Sequence, residues 1–204
     1  MDARAAVTSS KIILEWTSEH GADVTHVRST LIHSSLAGLR SRGLFDAYVA
    51  NLDPSVRDAV LLNLAPSWMP IELGVAHYQA CNALALSDDA LAEIGEASAQ
   101  RVMGTFLGTL VRSSRVAGTS PWIVCKSYGT LWQRIWQGGG VRVVEEGPKD
   151  AVLIGMGNPC SQFRYFQVAY GGVVKGALGM FSPSVHVRAR PNRTGLLMVA
   201  ASWV

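Results

Sequence analysis

The chain has 204 residues, enough for one domain whose core buries roughly 70% of the unfolded surface without metal or disulfide staples. Hydrophobic residues make up 49% and charged residues only 16%, below the roughly 25% usual in soluble domains, so an apolar face covered by a second copy (a homodimer) or by a protein partner is expected. A net charge of +3, from 18 basic and 15 acidic residues, is too weak to bind nucleic acid over the whole surface.

Three scattered cysteines, Cys81, Cys125 and Cys160, suggest reduced thiols. The opening Met1-Asp-Ala-Arg lacks the apolar core of a secretion signal, and no run approaches the roughly 20 apolar residues of a membrane span. A soluble, cytoplasmic protein is expected.

Residues 1–23 read as an N-terminal extension whose short run Ile12-Ile13-Leu14 is an edge strand or a helical turn. A helix is predicted from Ser29 to Arg42, with Leu31, Ile32, Leu36 and Leu39 at helical spacing and Gly43 as its stop. A short helix over Leu44–Val49 follows, and Asp53-Pro54 signals a third, through Leu62. The next begins after Pro70 and runs to about Ala85. Ser87-Asp-Asp opens the longest helix, with Leu91, Ile94, Val102, Phe106 and Leu110 as its buried stripe. Another is predicted from Trp122 to Gln137, closed by Gly138-Gly-Gly140.

The texture then changes. Val141–Val144 and Ala151–Ile154 read as strands joined by a turn, Ser161 as the cap of a glycine-bearing helix to Met180, and Val185–Arg190 and Leu196–Val204 as a hairpin around residues 191–195. Helices first and a small antiparallel sheet last, with one helix inserted in it, predict a single α+β domain over residues 24–204.

His77 and Cys81 stand four apart on one helix face, with Tyr78 beside them. An imidazole and a thiolate there could ligate a metal or a haem iron; the plainer reading is a hydrogen-bonded core histidine beside a cysteine acting as a small hydrophobe. Trp122, Tyr128, Trp132 and Trp136, with Trp68, could wall a pocket for a flat apolar ligand, although such stripes are commonly core. Gly104/Gly108 and Gly172/Gly176 imply close helix packing or close approach of a ligand, since helical glycine costs about 1 kcal/mol. His186, Arg188 and Arg190 alternate onto one strand face with Arg193 at the turn: an anion patch, or a solvated face that protects an edge strand. No nucleophile elbow and no His-Glu-x-x-His helix occurs, which favours binding over catalysis.

The segments Val27–Ile32, Arg42–Phe45, Ser67–Pro70 and His77-Tyr78-x-x-Cys81 resemble a myxobacterial paralogous family of similar length. Gly118-x-x-Pro121-Trp122, Leu131-Trp132-x-Arg134, Gly147-Pro148-Lys149 and Ala201-Ser202-Trp203 resemble it as well. The order of elements is similar to the haem-nitric-oxide-binding, vinyl-reductase-like and trafficking-particle domains, which implies a sensing or docking module with that α+β fold. The chain departs from the haem-binding members: residues 122–137 contain no histidine, and no Tyr-x-Ser-x-Arg clamp for haem propionates is present.

The expectation is a non-enzymatic, sensor-like or interaction module binding a small apolar molecule or a protein, with Trp68, His77, Tyr78, Cys81, Trp122, Tyr128, Trp132 and Trp136 lining its pocket. No cofactor is expected. The alternatives are a haem or zinc protein using His77 with or without Cys81, and a docking domain without a pocket.

Overall fold

In the computed structural model, which describes residues 11–17, 23–114, 120–190 and 196–204, the helices come first and the main sheet last. Strand β2 (His26–Arg28) leads into α1 (Ser29–Ser41), whose Leu31, Ile32, Leu36 and Leu39 are buried. Gly43, at φ +68°, ends it. The Leu44 amide donates to Leu39 and the Gly43 amide to Arg40, the paired bonds of a helix closed by a left-handed residue, which glycine adopts without steric cost. Helix α2 (Phe45–Asn51) follows.

The helix predicted from Asp53 is shorter, α3 (Arg57–Leu61). The Asp53 carboxylate accepts from the Ser55 amide and hydroxyl, both at 2.8 Å, and closes a turn instead. Strand β3 (Trp68–Pro70) then feeds α4 (Ile71–Asn82), and α5 (Asp88–Ser114) is the longest helix.

The single helix predicted over 122–137 is also corrected. It breaks at Ser127, whose amide is shared between Ile123 and Val124, into α6 (Trp122–Lys126) and α7 (Tyr128–Ile135). Trp136–Gln137 turns extended as β4 and pairs with β2. The resulting three-stranded sheet, β3-β2-β4, has strands too short to leave a periodic signal in the sequence.

The main sheet comprises β1 (Lys11–Leu14), β5 (Gly140–Gly147), β6 (Asp150–Met156), β7 (Val185–Ala189) and β8 (Leu197–Trp203). Its order is β1-β5-β6-β8-β7, antiparallel throughout. Strand β1 falls inside the stretch read as an extension, yet it forms one edge of this sheet. Helix α8 (Arg164–Leu178) is inserted between β6 and β7. Its predicted cap, Ser161, is buried inside a 3₁₀ turn over Pro159–Gln162; Asn158 caps that turn by accepting from the Cys160 amide at 2.9 Å. The predicted turn at 191–195 lies outside the described residues. No described helix is long and apolar enough to cross a membrane.

Helix α8 is the middle layer, with α5 on one side and β7 and β8 on the other. The α5–α8 crossing is tight because both helices present glycine. A Cβ at Gly95 would lie 1.9 Å from the Ala169 carbonyl oxygen, and one at Gly172 would lie 2.1 Å from that of Ala92. Backbone cannot yield as a side chain can, so any larger residue must push the helices apart. Gly104 has nothing within 4 Å of a built Cβ. Gly95→Ala and Gly172→Ala are each expected to lower stability in urea unfolding by about 1–3 kcal/mol. Gly104→Ala is expected to raise it by up to about 1 kcal/mol, and a common sign for all three would refute the close-contact account.

Candidate functional site

Helix α4 turns Gly74, His77, Tyr78 and Cys81 inward. His77 is 0% exposed and sits at the centre of a polar cluster. Its Nδ1 is 2.8 Å from the Tyr48 hydroxyl on α2, and its Nε2 is 3.1 Å from Ser35 Oγ on α1 and 3.5 Å from Cys81 Sγ. Ser35 Oγ lies 3.2 Å from the Tyr165 hydroxyl on α8. Either neutral tautomer satisfies both ring nitrogens: the hydroxyl on one side donates while the ring N–H donates on the other.

Burial drives His77 down to about 3, so the ring is neutral at ordinary pH. The same desolvation pushes the Cys81 thiol and the Tyr48 and Tyr165 hydroxyls up, so all three stay protonated. Ser35 and His77 are at hydrogen-bond distance, but they are sealed from solvent and the histidine is oriented by a tyrosine rather than a carboxylate. The cluster ties α1, α2, α4 and α8 together.

From His77 a seam of rings runs between the helical part and the α8–sheet layer. Tyr78 stands edge-on to His77 at 4.9 Å and to Phe166 at 4.8 Å; Phe166 meets Trp136 at 5.7 Å, and Trp136 meets Trp132 at 5.8 Å. Tyr128 and Tyr170 both lie 6.4 Å from Trp132, and the Tyr170 hydroxyl donates to that of Tyr128 at 3.2 Å. Gly155 on β6 gives Trp132 its place, since a Cβ there would come within 3.0 Å of the indole. The Trp132 Nε1 donates to the Gly138 carbonyl at 3.0 Å. The Trp136 Nε1 is buried without an acceptor among the described residues. Beside the seam, a cavity of about 20 Å³ is lined by Ser35, Tyr78, Tyr165, Phe166 and Tyr170 among others; it has room for one water, against the roughly 300–1,000 Å³ of ordinary ligand pockets.

The fold thus joins His77, Tyr78, Cys81, Tyr128, Trp132 and Trp136. It leaves two of the expected residues apart. Trp68 is half-buried on β3 under the Arg28 guanidinium, 4.7 Å from its ring centre. Trp122 is half-buried against Trp203 at 4.8 Å, its Nε1 donating to the Pro148 carbonyl. The sequence reading missed Ser35, Tyr48, Tyr165, Phe166 and Tyr170. Tyr165, Phe166 and Tyr170 share the buried face of α8, a signal that the glycines of that helix obscured. Nothing in the sequence marks Ser35 or Tyr48.

Among the described residues no three His, Cys, Asp or Glu side chains gather as a metal set, and the protonated Cys81 offers His77 no thiolate. His186, Arg188 and Arg190 do share the outer sheet face; Arg190 is held by Glu146 through two bonds, at 3.1 and 3.0 Å. Arg193 lies outside the described residues.

No protein-family model and no curated protein matches the chain. Solved structures do. An unliganded Fe(II) H-NOX protein mutant from K. algicida aligns with TM-score 0.63 at 11% identity, over 87% of this chain and 96% of that one. The fold is that of the H-NOX domains. A T. tengcongensis H-NOX mutant aligns at TM-score 0.55 and 14% identity, over 86% and 97%. An oxygen-binding H-NOX domain related to soluble guanylate cyclases, in its oxygen complex, aligns at 0.52 and 13%, over 86% and 94%. At such identities the likeness carries the fold alone.

The comparison corrects the expectation of no cofactor. Of the solved structures that share this fold, one addresses haem distortion in the H-NOX family and another haem redox potential. The His77 surroundings, as packed here, do not fit a porphyrin: both ring nitrogens are engaged, and the adjoining cavity is water-sized.

The neutral histidine has a measurable consequence. Its pKa falls from 6.5 in the open chain to about 3 when folded, so between those values the unfolded chain binds the extra proton and stability rises with pH. Below pH 6.5 this group is expected to remove up to about 1.4 kcal/mol per pH unit. Urea unfolding from pH 7 to 5 should show that slope in the native protein and its loss in His77→Asn; parallel slopes would refute the buried neutral ring.

Proposed function

We propose that the chain is a non-enzymatic, sensor-like module that admits a small ligand to the aromatic seam between its helical part and the α8–sheet layer. The observation that carries this reading is the H-NOX fold, spanning 87% of the chain. The buried Trp136 N–H without an acceptor supports it: an unpaired donor costs about 1–3 kcal/mol, and a ligand bearing an oxygen would relieve that cost. Entry parts α1 and α4 from α8 and breaks the Ser35–Tyr165 bond, so occupancy is reported as helix movement.

The fold comparison favours haem over a small apolar molecule, with His77 as the residue that would hold iron once its present packing opens, Cys81 remaining protonated beside it. That requires His77 to leave Tyr48 and Ser35. Three buried, unpaired cysteines support a reducing cytoplasm. The strongly exposed Leu62 and Leu64, at 72% and 83%, support a homodimer, read as twice the chain mass in light scattering.

Hemin titration followed at the Soret band is the deciding experiment, run beside a thermal-shift series with small aromatic ketones. A one-to-one hemin complex lost in His77→Ala supports the haem form; a complex that survives this change refutes His77 as ligand. A thermal shift that Trp136→Phe removes supports the apolar-ligand form. Silence in both assays overturns the sensor reading and leaves a docking role.

A further inference from the structure

Strand β7 ends the main sheet, and no described strand pairs with its outer edge. The Arg190 amide donates to Met198 at 2.8 Å and the Val204 amide to Ser184 at 3.2 Å. Even-numbered residues of β7 therefore turn their backbone groups toward β8, and the two-residue period turns those of Val185, Val187 and Ala189 away from it. These outward amides and carbonyls meet no partner among the described residues.

The side chains on the two faces of this edge differ in kind. On the outer face, exposed Arg188 forms no ion pair among the described residues, whereas Arg190 is held by Glu146; Asp150 shares this face two strands away, beyond Ser202. On the inner face a groove of about 380 Å³ runs between β7, α8 and the start of α5, its floor including Val168, Gly171 and Gly172. Gly172 is required by the α5 contact, but Gly171 is not. A Cβ there would lie 3.6 Å from Val187 and 4.0 Å from the Ala189 amide, ordinary contact distances. A helical glycine costs about 1 kcal/mol relative to alanine; here its effect is to leave the approach to the Ala189 amide clear.

We infer that the β7 edge is a strand-addition site for an extended segment of a protein partner, with carboxylates at alternate positions and small apolar side chains between them. The added strand takes its main-chain bonds from Val185, Val187 and Ala189. Its acidic residues lie across from His186 and Arg188 on the outer face, at cross-strand pairing distance, and its apolar residues enter the groove over Gly171. Charge selects this occupant over a second copy. Two β7 strands paired antiparallel about Val187 would set His186 of one against Arg188 of the other, leaving each Arg188 guanidinium without a carboxylate. Arg188, a charge of the kind that commonly protects sheet edges and that gains nothing from a second copy, attracts an acidic strand.

The probe is a fluorescein-labelled peptide of alternating glutamate and valine with serine ends, compared by anisotropy with its lysine counterpart and with phosphatidylserine vesicles and duplex DNA. The acidic peptide is expected to bind roughly tenfold more tightly than the basic one, and Arg188→Glu to reverse that preference. Gly171→Leu, which fills the groove, should weaken the acidic peptide by roughly tenfold while circular dichroism stays native. At saturation, hydrogen exchange at the Val187 and Ala189 amides should slow by roughly tenfold or more. Equal binding of both peptides, unchanged exchange at those amides, or no binding at about 1 mM would overturn the proposal. Tighter binding to vesicles or DNA, with exchange unchanged, would overturn it in favour of a plain charged patch.

Discussion

Everything inside this domain depends on how closely α8 lies against α5. Backbone meets backbone at Gly95 and Gly172, and that approach fixes the depth at which α8 sits between α5 and the sheet. Tyr165, Phe166 and Tyr170 ride on α8, so the helix depth also places one wall of the aromatic seam and the hydroxyl that reaches Ser35. Dispersion and burial supply the energy, but they are non-directional; the glycine contact sets the distance. An alanine-sized helix surface would leave the same residues apolar and buried with the rings out of register.

The polar cluster at His77 has a different task. Its hydrogen bonds are worth little in net stability, since water would supply equivalents in the open chain. Their alternatives are costly, because a buried donor or acceptor left alone forfeits its solvation. One histidine joined to α1 and α2 directly, and to α8 through Ser35, therefore penalises arrangements in which any of those helices slips. Fully satisfied networks of this kind specify a single core. The wholly neutral state of the cluster follows from the same burial.

The elements with strong local codes were legible in the sequence: α1 with its stripe and Gly43 stop, α4 after Pro70, α5 after its acidic first turn, and the β7–β8 hairpin. The pairing of His77 with Cys81 followed from helix period alone. What stayed hidden is set by contacts distant in sequence. Trp136 leaves the helical state because β2 offers it a strand partner. Asp53 closes a turn rather than a helix start because Ser55 supplies two donors close by. Tyr48 and Ser35 are ordinary helix residues until tertiary structure brings them to the imidazole. Trp68 and Trp122 show the opposite error: aromatic identity suggested a pocket, whereas each is held elsewhere by Arg28 or Trp203.

One element serves both proposed sites. Along α8, Tyr165, Phe166 and Tyr170 face the seam, while Val168, Gly171 and Gly172 floor the groove beside β7. A helix wedged between α5 and the sheet moves as a unit, because its backbone contacts with α5 leave no slack for local adjustment. A ligand that forces the seam open must shift α8 relative to α1 and α4, and the groove floor shifts with it. By linkage, a strand added at β7 that holds α8 in one position changes the affinity of the seam by the same factor that the ligand changes that of the edge. On these proposals the domain is a two-ended device whose coupling runs through one helix, and the glycines that bring α8 against α5 make that coupling stiff.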